Sequence, residues 1–196
     1  MCNDYGNHIA WAEYREAMDQ LRLPLRAPAA APNLEPRDEI WPSEVAPVIR
    51  PHGDGVELAQ LRWGFPAPRP GARAVINMRS EGRRFGAGRC LVPASHFFEF
   101  TGSRSPKTRW RFTRADGAWL GVAGLWRPGE GGAPDAFTML TTAPGPDVAP
   151  IHDRQIVVLE RADWAAWLNP APPPSELLLR PSPAGTLLVA ESPRGA

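Results

Sequence analysis

The abundance and spacing of turn-forming residues constrain the fold of this 196-residue chain more than any other feature. It contains 24 prolines and 18 glycines, interleaved with short apolar runs. Proline cannot donate to a β-ladder or continue a helix, so the elements must be short and separated by turns. Helical periodicity is confined to Trp11–Leu21, which ends before Pro24, and to Ala162–Leu168. We therefore expect an α+β fold, mainly antiparallel β-strands in half-open barrel-like sheets with a few short helices.

Strand-like runs account for most of the remaining chain. Ser43–Arg50 and Val56–Phe65 are joined by a turn, His52-Gly-Asp-Gly55, which favours a hairpin. Further runs are Arg109–Arg114, Ala118–Arg127, Ala136–Ala143, Arg154–Leu159 and Gly185–Ala190. Residues 24–38 are rich in proline and alanine and are interpreted as a surface loop. No repeat or linker divides the sequence, so we expect a single domain over residues 1–196.

Composition limits the setting in which the protein works. Hydrophobic residues make up 43% and charged residues 22% of the chain, which is ordinary for a globular protein. No apolar run approaches the roughly 18 residues of a membrane span, and the first residues lack the pattern of a signal peptide. We expect a cytoplasmic monomer without membrane contact, which joins the nucleoid only when bound to DNA. No metal-ligand spacing or phosphate-binding loop occurs, so no metal or cofactor is expected.

The two cysteines are expected to be free thiols in different roles. Cys90 lies in an apolar run and is interpreted as a core residue. Cys2 directly follows Met1, and removal of Met1 would leave Cys2 with a free α-amine. Such an amine has a pKa of about 7.7–8.0, and a thiol near 8.5 is within reach of activation. The amine can form an imine with an aldehyde, after which the thiol closes a thiazolidine ring.

Positive charge is concentrated in one stretch. Between Arg73 and Cys90 there are five arginines and one acid, Glu81, a local charge of +4 on a chain whose total is +1. Arginine suits phosphate because its guanidinium presents a rigid fork of donors. The stretch therefore indicates a patch for an anionic partner, although a solvated face would have the same composition.

Three polar residues occur in apolar surroundings. Glu99 is flanked by Phe97, Phe98 and Phe100, and burial there would raise its pKa and suit it to move protons. His152 precedes Asp153, which can poise the imidazole, and Asn77 follows Ala-Val-Ile. Each of the three can instead be a hydrogen-bonded core group.

Taken together, these residues resemble the SRAP family, the SOS-response-associated peptidases. The matching features follow the order of the family and span nearly the whole chain. They are Cys2 after Met1, Trp63-Gly64, Asn77-x-Arg79-Ser80-Glu81, Arg89-Cys90-Leu91, aromatic-Glu99-aromatic, Ala123-Gly124-Leu125-Trp126, Thr141-Thr142 and His152-Asp153-Arg154.

The resemblance implies a protein of the DNA damage response that binds single-stranded DNA and crosslinks to abasic sites, with possible autopeptidase and DNA lyase activity. It implies that Cys2 is the nucleophile and that Asn77 holds the N-terminus or the sugar. Glu99 would then be the proton shuttle for imine formation, and His152 the acid/base on the sugar oxygen. Contacts to DNA are implied for Arg79 and Arg84, which would hold phosphates, and for Trp63 and Thr141, which would line the channel.

The sequence departs from the family at Asn3-Asp4, where Gly-Arg is usual. An arginine near the lesion is therefore missing, and we expect an acid to replace it. Two other functions remain open: an N-terminal-cysteine peptidase or amidohydrolase, and a non-covalent module for single-stranded DNA. Only the aldehyde chemistry requires both the amine and the thiol of Cys2.

Overall fold

The computed structural model describes residues 2–26, 34–67, 69–169 and 177–193. The strands are β1 (Tyr5–Asn7), β2 (Leu25–Arg26), β3 (Arg37–Ile40), β4 (Val45–His52), β5 (Gly55–Trp63), β6 (Asn77–Arg79), β7 (Arg89–Ala94), β8 (His96–Thr101), β9 (Thr108–Arg114), β10 (Leu120–Arg127), β11 (Ala136–Thr142), β12 (Gln155–Ile156), β13 (Val158–Leu159) and β14 (Leu187–Glu191). The helices are α1 (Trp11–Gln20) and α2 (Trp164–Leu168), and a 3-10 turn, Arg161–Asp163, precedes α2.

Five strands form a closed ring. The order β11-β10-β7-β4-β5 is antiparallel at each step, and β5 returns to β11 through a parallel pairing of Arg62 with Ala136 and Trp63 with Phe137. Closure leaves these strands without a free edge. The short strands β2, β6, β12 and β13 each pair with a strand of the ring. The α+β, mainly antiparallel architecture expected from the sequence is confirmed.

A second, five-stranded sheet packs on the ring. Its order is β14-β9-β8-β1-β3, and every pairing in it is antiparallel. Aromatic side chains from both layers fill the space between them and are fully buried: Tyr5, Trp63, Phe97, Phe112 and Phe137. Strands β7 and β8 are separated by a single residue, so the chain passes from the ring directly into the second sheet.

The two helices cover another core. Helix α1 buries Tyr14, Ala17 and Met18, and it ends before Pro24 as expected. The Glu13 carboxylate accepts a hydrogen bond from the Ala10 backbone nitrogen at 2.7 Å, which satisfies a donor at the helix start. Tryptophans 119, 164 and 167 pack in the same cluster.

Two local predictions are wrong. Residues 24–38 are not only a loop, since Leu25–Arg26 pairs with β5 and Arg37–Ile40 pairs with β1; residues 27–33 lie outside the described parts. The run Arg154–Leu159 forms two strands and not one. Val157 divides it because its nitrogen bonds to Leu140 of β11 while its oxygen bonds to Ala123 of β10. In the parts of the chain that are described, no helix combines the length and hydrophobicity needed to cross a membrane.

Candidate active site at the N-terminus

Cys2 lies in the core between the two sheets, with only 1% of its surface exposed. Its carbonyl oxygen accepts a hydrogen bond from Asn77 Nδ2 at 2.6 Å, and its Sγ donates to the Asp4 carbonyl at 3.4 Å. Asn77 is held by strand pairing, because it begins β6 opposite Met139 of β11. Its Oδ1 is buried and has no hydrogen-bond partner among the described residues. This oxygen can therefore accept a hydrogen bond from another donor near Cys2.

The Glu99 carboxyl contacts the atom that would become the nucleophile. Glu99 lies in β8 and is 1% exposed, and burial raises its pKa to about 7. The backbone nitrogen of Cys2 donates a hydrogen bond to this carboxyl, which opposes the rise. Without Met1, that nitrogen is the α-amine of the chain. The expectation that burial raises the pKa of Glu99 is confirmed.

His152 faces Glu99 across a short gap. The distance between its Nε2 and Glu99 Oε2 is 3.8 Å, and its Nδ1 lies 3.0 Å from the Asp153 carboxylate, as the sequence indicated. The same Nδ1 also lies 3.0 Å from the Arg154 backbone nitrogen and 3.1 Å from the Arg154 backbone oxygen. Burial lowers the pKa of His152, and Asp153 opposes this shift. The imidazole beside Glu99 is therefore mainly neutral near pH 7.

A cleft connects this group with solvent. It has a volume of about 310 Å³ and is lined by Asn3, Glu99, Phe100, Lys107 and His152. Lys107 is the only lysine in the chain and is exposed. The sequence assigns it no role, because only the fold shows that the turn between β8 and β9 lies beside the cleft.

The Cys2 thiol is strongly protonated in this environment. Burial raises its pKa well above the usual range, and the nearby negative charge of Glu99 adds to the effect. Burial therefore opposes activation of the thiol in this conformation, and its activation stays a prediction. The Cys2 nitrogen, which becomes an amine once Met1 is removed, already contacts Glu99.

The arginines expected to contact DNA lie at the surface. Arg79 ends β6, and Arg84 lines a groove of about 760 Å³ together with Arg83 and Arg127. Their contact with phosphate stays a prediction.

The one acid of the basic stretch is paired. Arg154 donates from its two terminal nitrogens to Glu81 Oε1 and Oε2 at 2.5 and 2.9 Å, and these bonds lower the pKa of Glu81 to about 2. A cation from outside the stretch therefore balances the carboxylate.

Two residues expected to line the DNA channel are interior. Trp63 is 0% exposed, donates from Nε1 to the Ile76 carbonyl at 3.0 Å and stacks on Phe137. Thr141 is 1% exposed, and its Oγ1 accepts from Arg154 at 3.1 Å. The structure corrects the expectation of direct contact, because neither side chain has a surface to offer DNA. Thr141 instead supports the arginine that pairs with Glu81.

The acid at position 4 does not replace an arginine in the cleft either. Asp4 is 0% exposed and forms an ion pair with Arg109 at 2.7 Å, whereas the neighbouring Asn3 lines the cleft. That expectation is therefore wrong. Among the residues that the structure describes, no group of three histidine, cysteine or acidic side chains is placed to hold a metal ion.

The arrangement is matched by a known family. The sequence model of the SOS response associated peptidase (SRAP) family covers residues 1–191. The chain belongs to the SRAP family. Abasic site processing protein YobE of Bacillus subtilis (strain 168) is 27% identical over 182 residues, which is 84% of this chain and 82% of that protein. Abasic site processing protein YoqW of Bacillus phage SPbeta is also 27% identical over 182 residues, covering 84% of this chain and 80% of its own.

Two solved structures superpose over almost the whole chain. A Bordetella bronchiseptica protein is 28% identical with a TM-score of 0.72, covering 98% of this chain and 100% of that one. A phage-related protein of the same species is 22% identical with a TM-score of 0.75, covering 97% and 94%. The second likeness concerns the fold alone. The relatives' names support a DNA-damage function related to abasic sites for this SRAP protein.

Proposed function

We propose that the protein senses abasic sites in single-stranded DNA and links to them covalently through Cys2 after removal of Met1. The observation that carries the proposal is the pair of contacts made by Cys2. Asn77 holds its carbonyl oxygen at 2.6 Å, and the Glu99 carboxyl bonds to its nitrogen. Once Met1 is removed, a nucleophilic nitrogen would thus be in contact with a carboxyl that can exchange a proton near neutral pH.

The reaction balances with loss of one water. The Cys2 amine attacks the C1′ aldehyde of the ring-opened sugar, and Glu99 delivers a proton to the hydroxyl that leaves as water. The thiol then adds to the imine carbon, forming the carbon–sulfur bond, and its proton passes to the nitrogen. The product is a thiazolidine. The imine is also the species from which a lyase reaction would begin, since it acidifies the adjacent C2′ proton.

The protonation state of Cys2 favours this order over a peptidase mechanism. A cysteine peptidase needs a thiolate as its first nucleophile. Here burial and Glu99 both raise the pKa of the thiol. An amine-first reaction tolerates a neutral thiol, because the thiol attacks only after the imine has formed.

Intact mass spectrometry tests the proposal. Protein lacking Met1 is incubated with a single-stranded abasic oligonucleotide and with the same oligonucleotide carrying an intact base. We expect a species of protein plus abasic oligonucleotide minus one water, and none with the intact base. If the protein and the oligonucleotide form only a dissociable complex, the protein is instead a non-covalent binding module. Gel filtration of the same samples checks the proposed monomer.

His152 is proposed to open the closed sugar and to protonate it when the adduct reverts. Its Nε2 lies 3.8 Å from Glu99 at the cleft, so it can reach the ring oxygen of a bound sugar. His152→Ala should slow ring opening and reversal by about 10²-fold, the low end of the contribution of a positioned acid or base. Transfer of pre-formed adduct to excess competitor DNA measures the reversal. Unchanged reversal would remove His152 from this step.

Arg79 and Arg84 are proposed to contact phosphates. Each contact releases counterions, so each alanine substitution should reduce the slope of log affinity against log salt by about one for undamaged single strands. The crosslinking rate at saturating DNA should change much less. Arg15→Ala, on the exposed face of α1, is the matched control. An identical slope in all three variants would leave the basic stretch as a solvated face.

A further inference from the structure

A buried ion pair joins the N-terminal segment to β9. Arg109 of β9 donates from Nη2 to Asp4 Oδ2 at 2.7 Å and also contacts the Glu39 carboxylate. Its guanidinium carbon lies 3.4 Å above the centre of the Phe98 ring. The side chains of Arg109 and Asp4 are 8% and 0% exposed. Burying two charges is costly unless their geometry is well satisfied, so this pair is a specific feature of the fold.

Asp4 connects this pair with Cys2. Its backbone carbonyl accepts hydrogen bonds from the Phe98 nitrogen at 3.1 Å and from Cys2 Sγ at 3.4 Å. The side chain of Asp4 is therefore held from β9 and its backbone from β8. Cys2 lies two residues before Asp4, and it extends beyond the first paired residue of β1, Tyr5. Strand pairing alone thus leaves Cys2 at a free end.

We propose that Arg109 is a positioning residue, which acts through Asp4 to hold Cys2 where its nitrogen meets Glu99 and its carbonyl meets Asn77. Its part in the reaction rests on the proposed function. In the proposed reaction Arg109 contacts neither the sugar nor the reacting atoms. Without its charge, Asp4 would be a buried carboxylate with its ion pair broken, and the segment would be drawn towards solvent.

Cysteine labelling tests the positioning without DNA. Asp4→Asn keeps the size of the side chain and removes the charge, and Arg109→Lys keeps a cation but loses the fork of donors. Both are treated with iodoacetamide, and peptide mapping follows Cys2 and Cys90 separately. Cys90 is equally buried, in β7 of the ring, so it reports opening of the whole fold.

We expect labelling of Cys2 to accelerate by about tenfold or more in Asp4→Asn and less in Arg109→Lys, because a buried thiol reacts only through local opening. Labelling of Cys90 should stay at the parental rate. Equal acceleration of both cysteines would show that the pair only stabilises the fold, and no acceleration would show that it does not hold Cys2. Either result overturns the proposal. If Asp4→Asn does not fold, Arg109→Lys alone decides the question by the same two rates.

Crosslinking kinetics then test the consequence. In Asp4→Asn the rate of adduct formation at saturating abasic DNA should fall about tenfold, while the DNA concentration at half-saturation stays unchanged, because neither Asp4 nor Arg109 lines the cleft. A parental rate despite faster labelling of Cys2 would overturn the role in the reaction. Failure of the parent to crosslink would refute the proposed function, and the labelling result would still stand.

Discussion

Cys2→Ala should form no heat-stable adduct with abasic single-stranded DNA, while its affinity for undamaged strands stays at the parental value. After removal of Met1 the variant still has an α-amine in contact with Glu99, so it can form an imine but cannot close the thiazolidine. An imine hydrolyses on heating. Denaturing gels of heated samples measure the loss, and borohydride reduction before heating should recover an adduct.

Lys107 determines the control for this experiment. It is the only lysine of the chain, but it lines the same cleft as Glu99 and His152, so its amine can reach a bound aldehyde. Cys2→Ala is therefore compared with Cys2→Ala/Lys107→Arg. If borohydride traps the single variant but not the double, the trapped amine is Lys107. A heat-stable adduct of Cys2→Ala without reduction would contradict the thiazolidine mechanism.

Glu99→Gln should slow adduct formation by roughly 10²–10⁴-fold, the range for a positioned acid or base. The amide retains the size of the side chain but cannot exchange a proton with the Cys2 nitrogen or with the departing water. In the parent, the pKa of Glu99 is about 7, so the rate should change through the neutral range as the carboxyl loses its proton. That inflection should disappear in the variant. Rates within about threefold of the parent would exclude Glu99 as the shuttle.

Glu99→Gln should also change how the melting temperature depends on pH. The pKa of Glu99 is raised in the folded state, so the folded protein binds more protons than the unfolded chain between about 4.5 and 7. Stability contributed by this group is therefore present at low pH and is lost as the pH rises through that window. Relative to the parent, Glu99→Gln should melt at increasingly higher temperature from pH 5 to pH 8. Glu81→Gln should not show this trend, because hydrogen bonds from Arg154 lower the pKa of Glu81.

Local patterns were sufficient for the features that one segment determines. The periodicity of α1, the hairpin of β4 and β5, and the burial of Glu99 among phenylalanines all follow from neighbouring residues, and the structure confirms them. The cluster of Asn77, Glu99 and His152 around Cys2 came from the resemblance, since no local signal relates residues so far apart.

The predictions that were wrong concern residues whose partners lie in distant segments of the chain. Trp63 is covered by Phe137, which becomes its neighbour only through the parallel pairing of β5 with β11. A tryptophan between Arg62 and Gly64 gave no sign of that partner. Asp4 is neutralised by Arg109, 105 residues later, so its sequence position next to Cys2 wrongly suggested a place in the cleft. Lys107 was overlooked because only the fold brings its turn beside His152.

The burial of Cys2 should also protect its thiol from oxidation before the protein binds a lesion. Peroxide oxidises the thiolate and hardly attacks the protonated thiol, and each step towards sulfinic acid requires access to the sulfur. Cys2 is 1% exposed and its raised pKa keeps it protonated. The same reactive oxygen species that generate abasic sites should therefore leave the nucleophile intact until a lesion enters the cleft. Peptide mapping after mild peroxide treatment of the folded protein should show unmodified Cys2, whereas the unfolded chain should be oxidised there readily.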